Sequence, residues 1–276
     1  MLELPETITI ARQMTQVLTG KTINEVVVYK TPHKMMWFEG DPDSFSGLLT
    51  GRRVTGAEAA GGYVKLLCGQ IIVSFQDGVM PHYHQPHEPA PERHQLYLRF
   101  DDGSALSAVV RMYGGIGVFE DGNNNNPYYL VAHQKPSPLS DAFTPEYFAS
   151  LRGYQGSEKN SAKAFLATQQ RIPGLGNGTL QDILWRAKVH PKRKLGTLSD
   201  AEFTALYHAV KEVLHRMAEA GGRDTERDLF GNPGGYQTVL SAGAENAYCP
   251  ACGGIVKKES YMGGSVYYCE GCQIKA

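Results

Sequence analysis

The chain has 276 residues, 42% of them hydrophobic, with 27 Lys+Arg against 28 Asp+Glu and a net charge of -1. That length leaves room for two ordinary domains and a third, small unit, and the balance describes a soluble globular protein. No apolar run approaches the roughly 20 residues needed to cross a bilayer, and the first residues lack the basic and apolar regions of a secretory signal, so no membrane partner is expected.

The near-neutral total does not advertise a nucleic-acid binder, but the charge is unevenly spread. Residues 151–276 carry 16 Lys+Arg against 12 Asp+Glu, and residues 1–150 carry 11 against 16. A basic C-terminal half gives mild support for a polyanionic partner. Five cysteines, four of them in two close pairs, fit a reducing cytoplasm, with Cys68 as a buried thiol.

Met1-Leu-Glu-Leu-Pro-Glu6 opens a helical pattern that runs to about Leu18 and ends at Gly20. From Thr22 to about Leu130 the signals are mostly strand: Ile23 to Tyr29, Tyr63 to Leu67, Gln70 to Phe75, Gln95 to Phe100 and Ala105 to Val110. Asp101-Asp-Gly103 reads as a hairpin turn, and so many short strands predict a sandwich or barrel. The stretch Met80 to His94 holds His82, His84, His87 and His94 and reads as a polar loop rather than a metal site. Asn123 to Asn126 before Pro127 reads as a turn, and Lys135-Pro-Ser-Pro138 as a linker.

Beyond the linker the period becomes helical. Thr144-Pro145 caps a helix to about Leu151, Ser161 to Thr168 forms a second, and Thr179 to Lys188 a third. Ser199-Asp-Ala-Glu202 is a capping box, followed by Phe203, Leu206, Val210, Leu214 and Met217 at helical spacing until Gly221-Gly222. Residues 223–248 read as a loop. Its Arg223-Asp-Thr-Glu-Arg-Asp228 stretch suits a solvated segment or part of a ligand pocket.

Cys249-Pro-Ala-Cys252 and Cys269-Glu-Gly-Cys272 are two Cys-x2-Cys knuckles, whose four thiolates can close a tetrahedron around one structural Zn²⁺. Ile255-Val256 and Val266 to Tyr268 read as strands joined through Gly263-Gly264, so the unit is a zinc-ribbon hairpin. A redox pair and two disulfides are the alternatives, and the second knuckle and the lack of a βαβ context disfavour both.

Ile172-Pro-Gly-Leu-Gly-Asn-Gly-Thr179 joins two helices by a glycine-rich turn. Its backbone N–H groups and the Asn177 amide suit a phosphate. Together with the N-terminal Glu-Leu-Pro-Glu and the four-cysteine hairpin, this turn makes the chain resemble the formamidopyrimidine-DNA glycosylase/endonuclease VIII family over its whole length. The resemblance implies a multidomain α+β fold. It comprises an N-terminal helix plus β-sandwich (1–134), a helix–two-turn–helix domain (135–235) and a zinc finger (236–276).

The resemblance also implies a partner, double-stranded DNA containing a lesion or abasic site, and a monomer that acts in the cytoplasm or on the nucleoid. Glu3 matches the family's acid/base carboxylate, Glu6 its second acidic residue, Asn177 its phosphate-binding asparagine and Arg111 its void-filling arginine. The departures are as informative. Leu2 stands where the family carries a catalytic N-terminal proline, and a bulky residue there should hinder removal of Met1. Gly62 and Gly264 stand at the family's phosphate-binding lysine and zinc-hairpin arginine, with Ser74 and Asp77 at its histidine and void-filling methionine. Lys257 or Lys258 is the nearest electrostatic substitute in the hairpin. The expected activity is that of a DNA glycosylase with impaired or altered strand-cleaving lyase chemistry. The alternatives are a non-catalytic binder of damaged or abasic DNA, and a binder of another polyanion such as structured RNA.

Overall fold

A computed structural model describes residues 1–153 and 156–275. Helix α1 (Leu4–Leu18) starts at a capping box in which the Glu3 side chain accepts from the N3 backbone while Glu6 accepts from the Glu3 backbone. Strands β1 (Ile23–Val28) and β2 (Met36–Glu39), the short helix α2 (Phe45–Leu49), and β3 (Gly56–Ala60), β4 (Tyr63–Cys68) and β5 (Ile71–Gln76) follow. After these come β6 (Val79–His84), β7 (Leu96–Phe100), β8 (Ala105–Val110) and β9 (Gly114–Glu120). They form two sheets, ordered β1-β7-β8-β6 and β2-β9-β5-β4-β3, antiparallel except where β2 runs parallel to β9. The inner faces bury Leu66, Val73, Phe75, Leu98, Phe100, Leu106 and Ile116 in one core, which Ile10, Met14 and Leu18 of α1 complete.

The five expected strands are present, and β2, β3, β6 and β9 add to them; β6 and β9 are the most informative. Met80 to His84 is not loop: it lies in β6, paired with β8, where Tyr83 points into the core and His84, on the opposite face beside His82, is also buried. Burial shifts the His84 imidazole below its ordinary value, and its Nε2 lies 2.8 Å from Ser107 Oγ. Strand β9 was hidden by Gly114, Gly115 and Gly117. A Cβ at Gly115 would lie 2.5 Å from Gln76 Nε2 and one at Gly117 2.5 Å from Ser74 Oγ, so the strand needs glycine where side chains of β5 cross it. Asn126 does more than turn the chain. Its side chain caps α3 (Pro127–Gln134), and Asn126 and Asn124 both donate to Glu39, at 2.5 Å and 2.9 Å.

The second lobe contains α4 (Pro145–Ser150), α5 (Ala162–Ala167), α6 (Thr179–Arg186) and α7 (Asp200–Glu219), each near its expected bounds. Ser161 and Ser199 cap α5 and α7 as their sequences predict. Phe143, Phe148, Phe165, Leu180, Leu206, Val210 and Leu214 form a second core, joined by Leu4 and Ile8 of α1. Helix α1 therefore belongs to both lobes. The lobes meet backbone to backbone: a Cβ at Gly174 would lie 2.5 Å from the Gly61 carbonyl carbon, so only glycine fits.

The hairpin of β10 (Val256–Tyr261) and β11 (Gly264–Cys269) turns through Met262-Gly263, both at positive φ, one residue before the expected glycine pair. Its four cysteine sulfurs lie within 4.8 Å of one another. A tetrahedral Zn²⁺ with Zn–S bonds of about 2.3 Å needs sulfurs spaced about 3.8 Å apart, so the cluster fits the structural zinc of this architecture. Asn177, Gln181 and Trp185, four residues apart, fasten the hairpin to α6. Asn177 Nδ2 donates to Ser265 O, Gln181 exchanges hydrogen bonds with Ser265 and Tyr267, and Trp185 Nε1 donates to Cys249 Sγ. Among the described residues no helix is long and apolar enough to cross a membrane.

Because the hairpin has little core of its own, the metal should hold it together. Metal analysis should find one zinc per chain. Strong chelation should release it, lose hairpin structure and leave the far-UV signal of the helical lobe largely intact.

Candidate active site

Residues 1–4 run through the seam between the lobes. The Leu2 side chain enters the β core and that of Leu4 the helical core, and their N–H groups donate to Asp77 O (2.7 Å) and Gly174 O (2.8 Å). Glu3 is thereby turned toward the start of α6. Its carboxylate accepts hydrogen bonds from the backbone N–H groups of Gly176 (3.1 Å), Gly178 (2.8 Å) and Thr179 (2.8 Å). The glycine turn thus holds an anion that the sequence did not name: three of its N–H groups are taken by the chain's own Glu3 carboxylate.

The carboxylate is 4% exposed and is balanced by Arg223, a residue whose place the sequence did not reveal. Arg223 Nε and Nη2 clasp Glu6 at 3.0 Å and 2.8 Å, while Nη1 approaches Glu3 at 3.5 Å. Its backbone N–H also donates to Glu6, at 3.0 Å. The guanidinium is 2% exposed and fills the space beside Gly178, where any Cβ would strike it. Burial alone would raise the Glu3 pKa. The Arg223 charge and the hydrogen bonds from Thr179 and Gly178 outweigh it and hold the carboxyl below its ordinary value.

The α-amino group of Met1 lies 2.8 Å from Glu226 Oε1. With Met1 in place, Leu2 offers no reactive group, since its nitrogen is an amide and its side chain is core. The amine at this site is that of Met1. The site thus gathers three carboxylates, Glu3, Glu6 and Glu226, around two cations, Arg223 and the terminal ammonium. The only sequence signal for Arg223 and Glu226 was a dense run of charge directly after a helix-ending Gly-Gly.

Met1, Leu2 and Glu3 line a groove of about 1100 Å³ between the lobes. Gly62, Asp77 and Asn177 line it too, as does Gly264 at the hairpin tip. Asn177 Oδ1 is buried without a partner while its Nδ2 holds the hairpin. Arg111 is exposed on the β8–β9 turn, whose next residues, Met112 and Tyr113, line the groove. Ser74 is fully buried in the β lobe. Lys257 and Lys258 pair with Glu270 (2.5 Å) and Glu245 (3.0 Å), and neither lines the groove.

A two-sheet lobe, a helical lobe with a glycine turn and a four-cysteine hairpin, meeting over an acidic N-terminus, define the helix–two-turn–helix class with a zinc hairpin. The formamidopyrimidine-DNA glycosylase N-terminal domain matches residues 1–121, and the H2TH domain of the same proteins matches residues 135–228. A formamidopyrimidine-DNA glycosylase of Symbiobacterium thermophilum is 31% identical over 99% of this chain and 89% of its own length. That of Enterococcus faecalis is 29% identical over 99% and 97%. The crystal structure of the MutM (Fpg) protein of Thermus thermophilus superposes with a TM-score of 0.81 at 28% identity, covering 99% of both chains. A Lactococcus lactis Fpg in complex with abasic-site-containing DNA gives 0.84 at 25%, over 99% of this chain and 100% of the other. The chain belongs to the formamidopyrimidine-DNA glycosylase family.

Arg223→Met should leave buried carboxylate charge uncompensated and destabilise the protein by about 3–5 kcal/mol at neutral pH. Because Glu3 has a depressed folded-state pKa, its stabilising contribution is present above the unfolded value and is lost as pH falls through the folded one. The stability gap between wild type and Arg223→Met should therefore narrow in denaturation series as pH falls from the raised Glu3 pKa of the variant through the depressed one of wild type. A gap that does not change with pH would contradict the charge assignment.

Proposed function

We propose that the chain is a DNA glycosylase of base-excision repair, which removes an altered base from DNA and in which the lyase step is weakened or altered. The observation that carries this reading is Glu3, an ionised carboxylate on a groove wall beside the terminal amine. The names of its relatives and the lesion or abasic DNA bound by its structural neighbours support it. In this reading Glu3 is the group that would accept a proton from a water attacking C1′ of a flipped nucleotide, ionised at neutral pH but with its basicity reduced by the partners that hold it. Arg223 and the α6 N-terminus keep that carboxylate in place and charged. Asn177 and Arg111 are proposed to contact the DNA, and Glu6 acts through Arg223 rather than on the substrate.

Departure of the base leaves an abasic sugar with an electrophilic C1′. Condensation of the Met1 amine with it would form a C1′–N imine and release water. Glu226 binds the ammonium form of that amine, which lacks a lone pair, so a proton must leave before attack. The extra residue also displaces the amine from the position that the family's proline occupies. Both features make the covalent step slower than base removal. Lys257 and Lys258 would have to break their ion pairs to serve the DNA.

Base release from duplexes carrying oxidised bases should exceed borohydride trapping, and Glu3→Gln should reduce release by about 10²-fold or more. Any trapped adduct should map to the peptide that starts at Met1. Binding to abasic DNA without release or trapping would mean a protein kept for recognition alone, the second reading that Gly62 and Gly264 favour.

A further inference from the structure

We propose that Gln13, on α1 and away from the groove, is a positioning residue for the Met1 amine: it grips the segment that carries Glu226 and so keeps Glu226 on the ammonium. This rests on that amine being the group that attacks an abasic sugar.

Arg223 and Glu226 both belong to a strap, residues 222–236, that leaves the helical lobe after α7 and returns to it. Its ends are joined, Tyr236 N–H donating to Gly222 O (3.0 Å) and Asp224 N–H to Tyr236 O (2.9 Å). Its tip crosses to the β lobe. There Asp228 closes a turn by accepting from the N–H groups of Phe230 (2.9 Å) and Asn232 (2.8 Å). Leu229 is fully buried in the β core, and Tyr83 N–H of β6 donates to its carbonyl at 2.9 Å.

Helix α1 grips this strap twice. Glu6 clasps the Arg223 guanidinium at the start. Seven residues on, about two turns and 10 Å along the axis, Gln13 lies on the same stripe of the helix. Its Nε2 donates to Asp228 Oδ2 (2.9 Å) and its Oε1 accepts from Leu229 N–H (3.0 Å). One carboxamide thus fixes both the side chain that shapes the tip and the backbone that enters the core. Glu226 sits between the two grips, its Oε1 2.8 Å from the Met1 ammonium and 3.9 Å from Arg223 Nη2. The other charged groups at the amine are Arg223, whose Nη2 donates to Met1 O at 3.4 Å, and Asp77, whose carboxyl feels the amine's charge. Arg223 is secured by Glu6 and does not need the tip. Releasing the second grip therefore loosens Glu226 while Glu3 stays locked.

The step affected is imine formation. The ammonium gives its proton to solvent, the nitrogen bonds C1′ of the abasic sugar, and the C1′ oxygen leaves as water. Glu226 opposes the first of these events. Base release depends on Glu3 and does not pass through it.

The test compares full-length zinc-loaded wild type, Gln13→Ala, Glu226→Gln and the double variant. Each is assayed for borohydride trapping on preformed abasic duplex and for base release from duplexes carrying oxidised bases. Gln13→Ala should raise the trapping rate about threefold or more near pH 7, with a smaller gain near pH 9, since Glu226 holds only the protonated amine. Its base release should stay within about twofold of wild type. Glu226→Gln should raise trapping at least as much, and adding Gln13→Ala to it should give no further gain. Trapping by Gln13→Ala at or below the wild-type rate overturns the proposal, because Gln13 would then do no more than support the fold. A gain that persists in the Glu226→Gln background overturns it too. Absence of both base release and trapping in wild type and every variant would count against the glycosylase reading itself, and this inference would fall with it.

Discussion

The site depends on one buried anion meeting one helix end. Three backbone N–H groups at the start of α6 converge on Glu3, a residue more than 170 positions earlier, and Arg223 closes the ring from the far side of α7. A carboxylate brought this deep without partners would lose several kcal/mol of hydration. Here the donors and the guanidinium offset that loss, and the result is a group held ionised. The same contact orients the lobes, because Glu3 belongs to the N-terminal chain and its donors to the helical lobe. The charge state of Glu3 and the domain arrangement are one interaction.

The sequence around Glu3 explains how the chain is threaded there. Leu2 and Leu4 are anchored in different hydrophobic cores, so the residue between them can only lie in the seam. Burying an aliphatic side chain is worth roughly 1.5–3 kcal/mol, and two such anchors hold the charged residue at the lobe boundary. A leucine at position 2 thus has a packing role. Its consequence is chemical: with Met1 retained, the free amine moves one residue outward to Glu226.

Much of this was legible in residue order. The Cys-x2-Cys pairs, the Ser199 capping box, the helix starting near Leu4 and the glycine turn before Thr179 each carry their signal within a few residues. Features made by distant partners were not legible. Arg223 sits in a charged run that looks like solvent-facing loop until Glu3 and Glu6 are placed beside it. Strand β9 is rich in glycine because Gln76 and Ser74, some forty residues away, occupy the space of its missing side chains. Asn124 and Asn126 read as a turn, which they are, yet their partner Glu39 lies on a strand that no local pattern announced. The glycine turn announces free N–H groups, but nothing local says that the chain's own Glu3 takes three of them.

The most direct measurement is an NMR titration of side-chain carboxyl groups in protein labelled with ¹³C at glutamate, with Glu3→Gln assigning the resonance. The Glu3 signal should titrate below the ordinary glutamate range in wild type and move upward in Arg223→Met. A Glu3 that takes up its proton at or above the ordinary value would contradict the account, since the carboxylate would then not be locked in its ionised form by Arg223 and the α6 N-terminus.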